Sequence, residues 1–277
     1  KVTSTYGENF LKQINPVSGR IHTNYQQMGA DTTRLTSGGK DKTSKIEYIN
    51  LLNLPANAET RACFVAENGN KWISIDYSGQ ETYLMASIAN DKAIIEELTN
   101  GSGDIHSLTA YMSYQEIPRD TDIKNIKRDY HNLRQEAKGI EFAINYGGDA
   151  NTISNNKGIP IEEATKIYNS YMSGFKGLKK YQDFRRKDWF NKGYILLNAL
   201  TGHKAFIYDY DKLLEDKKWM SNLDWDYYRE MKSSHPECET VQRVRHFFRR
   251  KSASEKQSIN YPIQATGSMC LRVAMVY

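Results

Sequence analysis

The chain has 277 residues, enough for one large domain or two ordinary ones, and its 39% hydrophobic and 26% charged residues exclude a disordered composition. A formal net charge of +5 is a mild excess, compatible with a polyanionic partner without requiring one. The 3 cysteines, odd in number and without a CxxC spacing, argue against a disulfide frame or a zinc site and for a reducing compartment; no apolar run nears the ~18 residues that would span a bilayer, and no signal peptide is visible.

Residues 1–60 are polar and broken, with "NPVSGR", "QQMGADTT" and "TSGGKDK" marking turns or loops. "KWISIDYS" then alternates: Ile73 and Ile75 on one face, Trp72, Ser74 and Asp76 on the other, which predicts a strand ending at Asp76. From Glu81 to Asn100 the period becomes helical through Leu84, Ile88, Ile95 and Leu98, with a glycine stop at "NGSGD". "DIHSLTAYMS" opens a further helix with Asp104 as N-cap. "DIKNIKRDYHNLRQEAKGIEFAINYGG" reads as one long helix closed by Gly147 and Gly148. Two more helices follow in residues 160–193, the first opened by Pro160, and then a hairpin about "TGHK". Residues 209–256 read as a charged helical insertion, and "INYPIQATGSMCLRVAMVY" as an apolar helix entered through Pro262. Strands and loops first, then a helix-rich middle and a return, predict an α+β fold in which a helical lobe leans over a sheet.

Arg134, Lys138, Phe142 and Tyr146 follow one another at intervals of four, so they share one broad helix face about 18 Å long at ~1.5 Å rise per residue. Two arrangements suit that order. The cations can receive a triphosphate while the rings take a sugar and base, or the basic end can be solvated while the rings enter the core. Asp76 is similarly ambiguous: a strand-end acid, or a carboxylate for Mg²⁺, which needs one or two carboxylates beside phosphate oxygens. "RVRHFFRRK" is a solvated basic face or a phosphate contact.

In chain order, "DYSGQE", "GDIH", R-x₃-K-x₃-F-x₃-YG and "NYPIQATGS" resemble the motifs of the family A DNA polymerases, the bacterial DNA polymerase I family and its phage relatives. "GRIHTNYQQMGADTTRLTSG" and "GYILLNALTGHKAFI" extend the resemblance over nearly the whole chain. It implies a right-hand architecture, a palm sheet with a helical fingers lobe and the thumb largely absent. Residues 1–82 would be palm and 83–258 fingers, with the charged insertion at 209–256; residues 259–277 would be a truncated helix returning to the palm.

The resemblance also implies roles. Asp76 would be the first catalytic aspartate, holding two Mg²⁺ ions together with the Tyr77 carbonyl. His106, Arg134 and Lys138 would hold the deoxynucleoside triphosphate, with Lys138 counted among the catalytic residues. Glu81 would crowd a ribose 2′-OH, Phe142 would lie by the incoming sugar, and Tyr146 would stack near the templating base. Arg34, Lys256, Asn260 and Gln264 would contact primer–template DNA. Lys256 stands where an Arg is usual, and Leu52 replaces a common Gln, which weakens one template-side expectation.

The family's second catalytic aspartate lies in a His-Asp-Glu motif that this sequence does not contain, and the chain begins without Met and stops inside an apolar run. The expectation is a template-directed DNA polymerase of a bacterial or phage-infected cytoplasm, incomplete and weakly active or inactive without a missing C-terminal segment. The alternative is a polymerase remnant that binds primer–template without chemistry. A single-subunit RNA polymerase of phage type is disfavoured by Glu81 and Phe142.

Overall fold

The computed structural model describes residues 8–41, 43, 46–55 and 57–276, and among them the chain divides into two compact units. The first holds the described residues up to Ser78 and those from Ser268 on; the second is Gly79–Gly267. Among the described residues the fold is predominantly helical with three two-stranded antiparallel sheets.

In the first unit, helix α1 (Glu8–Leu11) precedes strands β1 (Tyr25–Gln26), β2 (Thr36–Ser37), β3 (Gly39–Lys40) and β4 (Glu47–Tyr48), followed by helix α2 (Ala58–Ala62). β1 pairs with β2 in the register Tyr25↔Ser37, and β3 with β4 in the register Gly39↔Tyr48. Gly38 between them has φ +86°, and a Cβ there would come within 2.8 Å of the Asn50 nitrogen, so the turn needs glycine.

The strand predicted at "KWISIDYS" is not formed. Residues 71–77 are irregular, and Ile75 is 90% exposed. Alternation specifies a strand only where a neighbour supplies the ladder and covers one face, and among the described residues none pairs with this segment.

The second unit opens with α3 (Gln80–Ala89) and α4 (Lys92–Thr99) where one helix is predicted. Asn90 turns the chain through left-handed backbone at φ +48°, which a short polar side chain tolerates, and Asp91 caps α4 through the amides of Ala93 and Ile94. α5 (Ile105–Ser113) starts from Asp104 as predicted. The long helix expected next is broken at Tyr130 into α6 (Ile123–Asp129) and α7 (His131–Asn145). α8 (Ala150–Lys157) is entered through an Asp149–Thr152 capping box. α9 (Ile161–Gly174) and α10 (Lys176–Lys192) follow, then the hairpin β5 (Tyr194–Leu196) and β6 (Lys204–Phe206).

The charged insertion becomes α11 (Tyr210–Met220), α12 (Trp225–Ser234) and the start of α13 (Glu239–Val276). Asp216, almost fully buried, receives Arg243 Nε at 2.6 Å, and the same guanidinium lies 4.3 Å from the Trp219 ring centre.

Pro262 was expected to begin the last helix, but α13 runs through it. Proline removes one N–H and leaves the carbonyl four residues earlier without its helical donor. That carbonyl belongs to Ser258, and buried Arg185 of α10 donates to it at 2.8 Å. Burial pushes the Tyr181 phenol up to about 12, so it remains a donor to the next carbonyl, Ile259, at 2.8 Å. No described helix is long and apolar enough to cross a membrane.

The main core of the second unit gathers Met85, Ile94, Ile140, Ile144, Tyr171 and Phe175 from α3, α4, α7 and α9 with the residue that opens α10. Asp91 ties two helices together: besides capping α4, its Oδ2 accepts from the Leu178 amide of α10 at 2.9 Å. A Cβ on Gly177 would come within 2.6 Å of the Asp91 Cα, so only glycine allows that approach. Asp91→Ala is expected to cost about 2–3 kcal/mol by uncapping α4 and leaving the Leu178 amide unpaired. A urea midpoint within error of wild type would refute that account.

Candidate functional site

α7 buries Ala137, Ile140, Glu141, Ile144 and Asn145 and turns its opposite face outward. The stripe Arg134, Lys138, Phe142 and Tyr146 lies on or beside that outer face, with Phe142 37% and Tyr146 39% exposed, so the rings are not core. The two rings stack at 6.1 Å with an 11° interplanar angle. Lys138 Nζ lies 5.7 Å from the Phe142 ring centre, and His106 of α5 meets the same ring edge-on at 5.7 Å.

Arg134 is held in place by Asp104. Its Nε donates to Oδ2 at 2.7 Å and its Nη2 to Oδ1 at 2.9 Å, a two-point pairing that leaves Nη1 for another acceptor. Asp104 therefore caps α5 and aims an arginine at once. Burial works to raise its carboxyl, but hydrogen bonds from Arg134 and Ser107 outweigh that and hold it below the ordinary 3.8.

The C-terminal end of the stripe is pinned by neighbouring helices. Asn260 Nδ2 of α13 donates to the Tyr146 carbonyl at 3.1 Å, and Gln182 Nε2 of α10 donates to that of Ile144 at 2.9 Å. Gly147, at φ +80°, lets α13 approach: a Cβ there would lie 2.9 Å from Ile259 Cδ1 and 3.5 Å from the Lys256 Cα. Tyr146 donates its hydroxyl proton to Glu81 Oε2 at 2.6 Å, joining the outer ring to the first turn of α3. Thus Glu81, His106, Lys138, Phe142, Tyr146 and Asn260 are linked by contacts within the second unit, and Arg134 precedes Lys138 by one turn of α7. Lys256, Asn260 and Gln264 recur at intervals of four along α13, on one side of that helix.

The remaining expected residues lie in the first unit. Arg34 is exposed and follows Thr33, whose left-handed backbone at φ +58° is held by Ser268 Oγ on its carbonyl at 2.7 Å and by Arg272 Nη2 on its hydroxyl at 3.0 Å. Asp76 and Tyr77 are exposed. The described residues contain no cluster of three or more metal-binding side chains. The Asp76 carboxylate and the Tyr77 carbonyl are hard oxygen donors of the type Mg²⁺ takes, and that ion commonly uses only one or two carboxylates beside phosphate oxygens. The donor chemistry fits magnesium.

Two residues that support this surface are not singled out for it in the sequence. Asp104 reads there only as a cap. Glu141 carries a visible signal, a lone acid on the apolar side of the α7 pattern between Ile140 and Ile144, and it meets His106. Asp104→Asn, which keeps a capping oxygen but loses the charge facing Arg134, is expected to lower stability by about 1 kcal/mol at pH 7. A depressed carboxyl contributes above its unfolded value and loses that contribution as pH falls through the folded one. The gap between variant and wild type should therefore be full above pH 3.8 and close below it. Thermal midpoints from pH 7 to pH 3 that stay a constant distance apart would contradict this assignment.

The sequence matches DNA polymerase family A over residues 1–277. DNA polymerase I of Chloroflexus aurantiacus is 28% identical over 280 residues, covering 100% of this chain and 24% of the relative. DNA polymerase I of Caldicellulosiruptor bescii is 32% identical over 213 residues, covering 76% of this chain and 23% of the relative. The chain thus spans about a quarter of the length of these relatives. In three dimensions it is similar to the POL domain of Pol1 from M. smegmatis in complex with DNA primer-template and dNTP. The TM-score is 0.67 at 24% identity, over 98% of this chain and 39% of that one.

Proposed function

This chain belongs to DNA polymerase family A, and on that premise we propose that it forms palm and fingers parts of a template-directed DNA polymerase adding deoxynucleotides to a primer 3′-OH. Residues 1–82 and 259–277 act as palm, and residues 83–258 as fingers with 209–256 inserted. The observation that carries the reading is the ordered stripe on α7, two cations followed by two exposed rings, completed by His106 and Glu81 from other elements. A pure DNA-binding module has no use for that order.

In this reading Arg134, Lys138 and His106 bind the triphosphate, with Arg134 presenting Nη1 because Asp104 holds its other edge. Phe142 packs against the sugar. Glu81, fixed by the Tyr146 hydroxyl, stands where a 2′-OH would enter, so the pocket prefers deoxyribose. Tyr146 offers its ring to the templating base. Asp76 and the Tyr77 carbonyl would hold magnesium, which when bound neutralises the reacting phosphates. Arg34, Lys256, Asn260 and Gln264 contact primer–template. The three free cysteines suit a reducing cytoplasm.

The test is primer extension with Mg²⁺ on this chain, alone and mixed with a segment carrying the family's second aspartate. Extension on complementation, abolished by Asp76→Ala, is the expected result. Tight primer–template binding with no extension in either mixture would favour the non-catalytic binding module. Lys138→Ala should weaken magnesium–dNTP binding about tenfold or more by removing a charged phosphate contact. Glu81→Ala should reduce discrimination against ribonucleotides by roughly 10²-fold in the complemented reaction; unchanged selectivity would remove Glu81 from the sugar site.

A further inference from the structure

Glu141 is 0% exposed and lies beneath the stripe that the proposed mechanism uses. Its Oε2 is 2.5 Å from His106 Nδ1, and its Oε1 accepts from Asn145 Nδ2 at 3.3 Å. Asn145 Oδ1 in turn accepts the Tyr171 hydroxyl at 3.0 Å. Burial, and after it the nearby Glu141 charge, keep the Tyr171 phenol well above its ordinary value, so it stays a donor. The bonds run in one direction, Tyr171 to Asn145 to Glu141, and His106 closes the series from the other side. An unpaired carboxylate at this depth would be strongly disfavoured, so the polar series is what allows an acid on the buried side of α7.

A carboxylate that accepts at Nδ1 settles which ring nitrogen carries the inward proton and fixes the ring plane. Nε2 is then left for a ligand, on a ring already held edge-on against Phe142. A ring that donates from Nδ1 to a carboxylate and from Nε2 to a phosphate is protonated on both nitrogens.

We infer that Glu141, backed by Asn145 and Tyr171, is a positioning residue that holds the His106 ring from beneath with Nε2 presented to the phosphates of the nucleotide. The inference deepens the triphosphate reading and rests on it.

Two measurements test it. Nitrogen-15 spectra of the His106 ring in the wild-type chain should show Nδ1 protonated and hydrogen-bonded, a result that needs neither a variant nor a nucleotide. A ring with bare Nδ1 and its proton on Nε2 overturns the inference. The second is magnesium–dTTP affinity in a double-mutant cycle. Glu141→Gln should weaken binding about tenfold in the wild-type background and leave it unchanged when His106 is already Ala. Equal losses in both backgrounds would mean that Glu141 only supports the core, and no loss in either would also overturn the proposal. Should wild type fail to bind magnesium–dTTP, or Lys138→Ala not weaken it, the triphosphate reading falls; the ring spectra still decide whether Glu141 sets His106.

Discussion

Burial of one face of α7 is the constraint on which the rest of the site depends. Ile140 and Ile144 enter the main core beside Tyr171 and Phe175, which fixes the rotation of the helix about its axis. Once that rotation is set, residues at intervals of four on the other side cannot avoid facing outward. The end of the helix is held independently, by Gln182 and Asn260 on its last carbonyls and by the close approach that Gly147 permits. A stripe anchored at its base and its end is preorganised, so little ordering remains to oppose ligand binding.

Charge is distributed through that frame by pairing rather than by exposure. Asp104 takes two of the Arg134 donors, and Glu141 takes the inner nitrogen of His106. Each acid engages one edge of its partner and leaves one nitrogen group, Nη1 of Arg134 and Nε2 of His106, on the other side. Lys138 pairs with no acid among the described residues, and its ammonium lies over the Phe142 ring. Arg134, His106 and Lys138 therefore differ in freedom although they serve one polyanion in the proposed function.

Backbone groups freed by irregularity are reused as joints. Pro262 strips a donor from the Ser258 carbonyl, and Arg185 supplies another from a different helix. Asn90 stops α3, and Asp91 then serves α4 and α10 together. In the first unit the left-handed Thr33, held by Ser268 and Arg272, sets the backbone from which Arg34 projects. In each case a local break in regular structure becomes a tie between segments distant in sequence, because buried polar backbone must be satisfied by something.

Elements whose signals are local are legible in the amino-acid order alone. Asp104 as a cap, the helices of residues 160–192, the hairpin about "TGHK" and the four-residue spacing of the α7 stripe follow from side-chain chemistry and helical period alone, and the ordered motifs were enough to name the family. Where the outcome turned on a distant partner, only the tertiary structure decided. Alternation at residues 71–77 promised a strand, but a strand exists only against a neighbour, and none of the described residues provides one. Pro262 promised a boundary, yet the helix continues because Arg185, 77 positions earlier, compensates the lost bond. The pairings of Arg134 with Asp104 and of His106 with Glu141 were likewise invisible, because residues 30 and 35 positions apart meet only when α5 is laid along α7. Period and capping act within one turn of backbone, whereas the partners of a buried charge are chosen by packing.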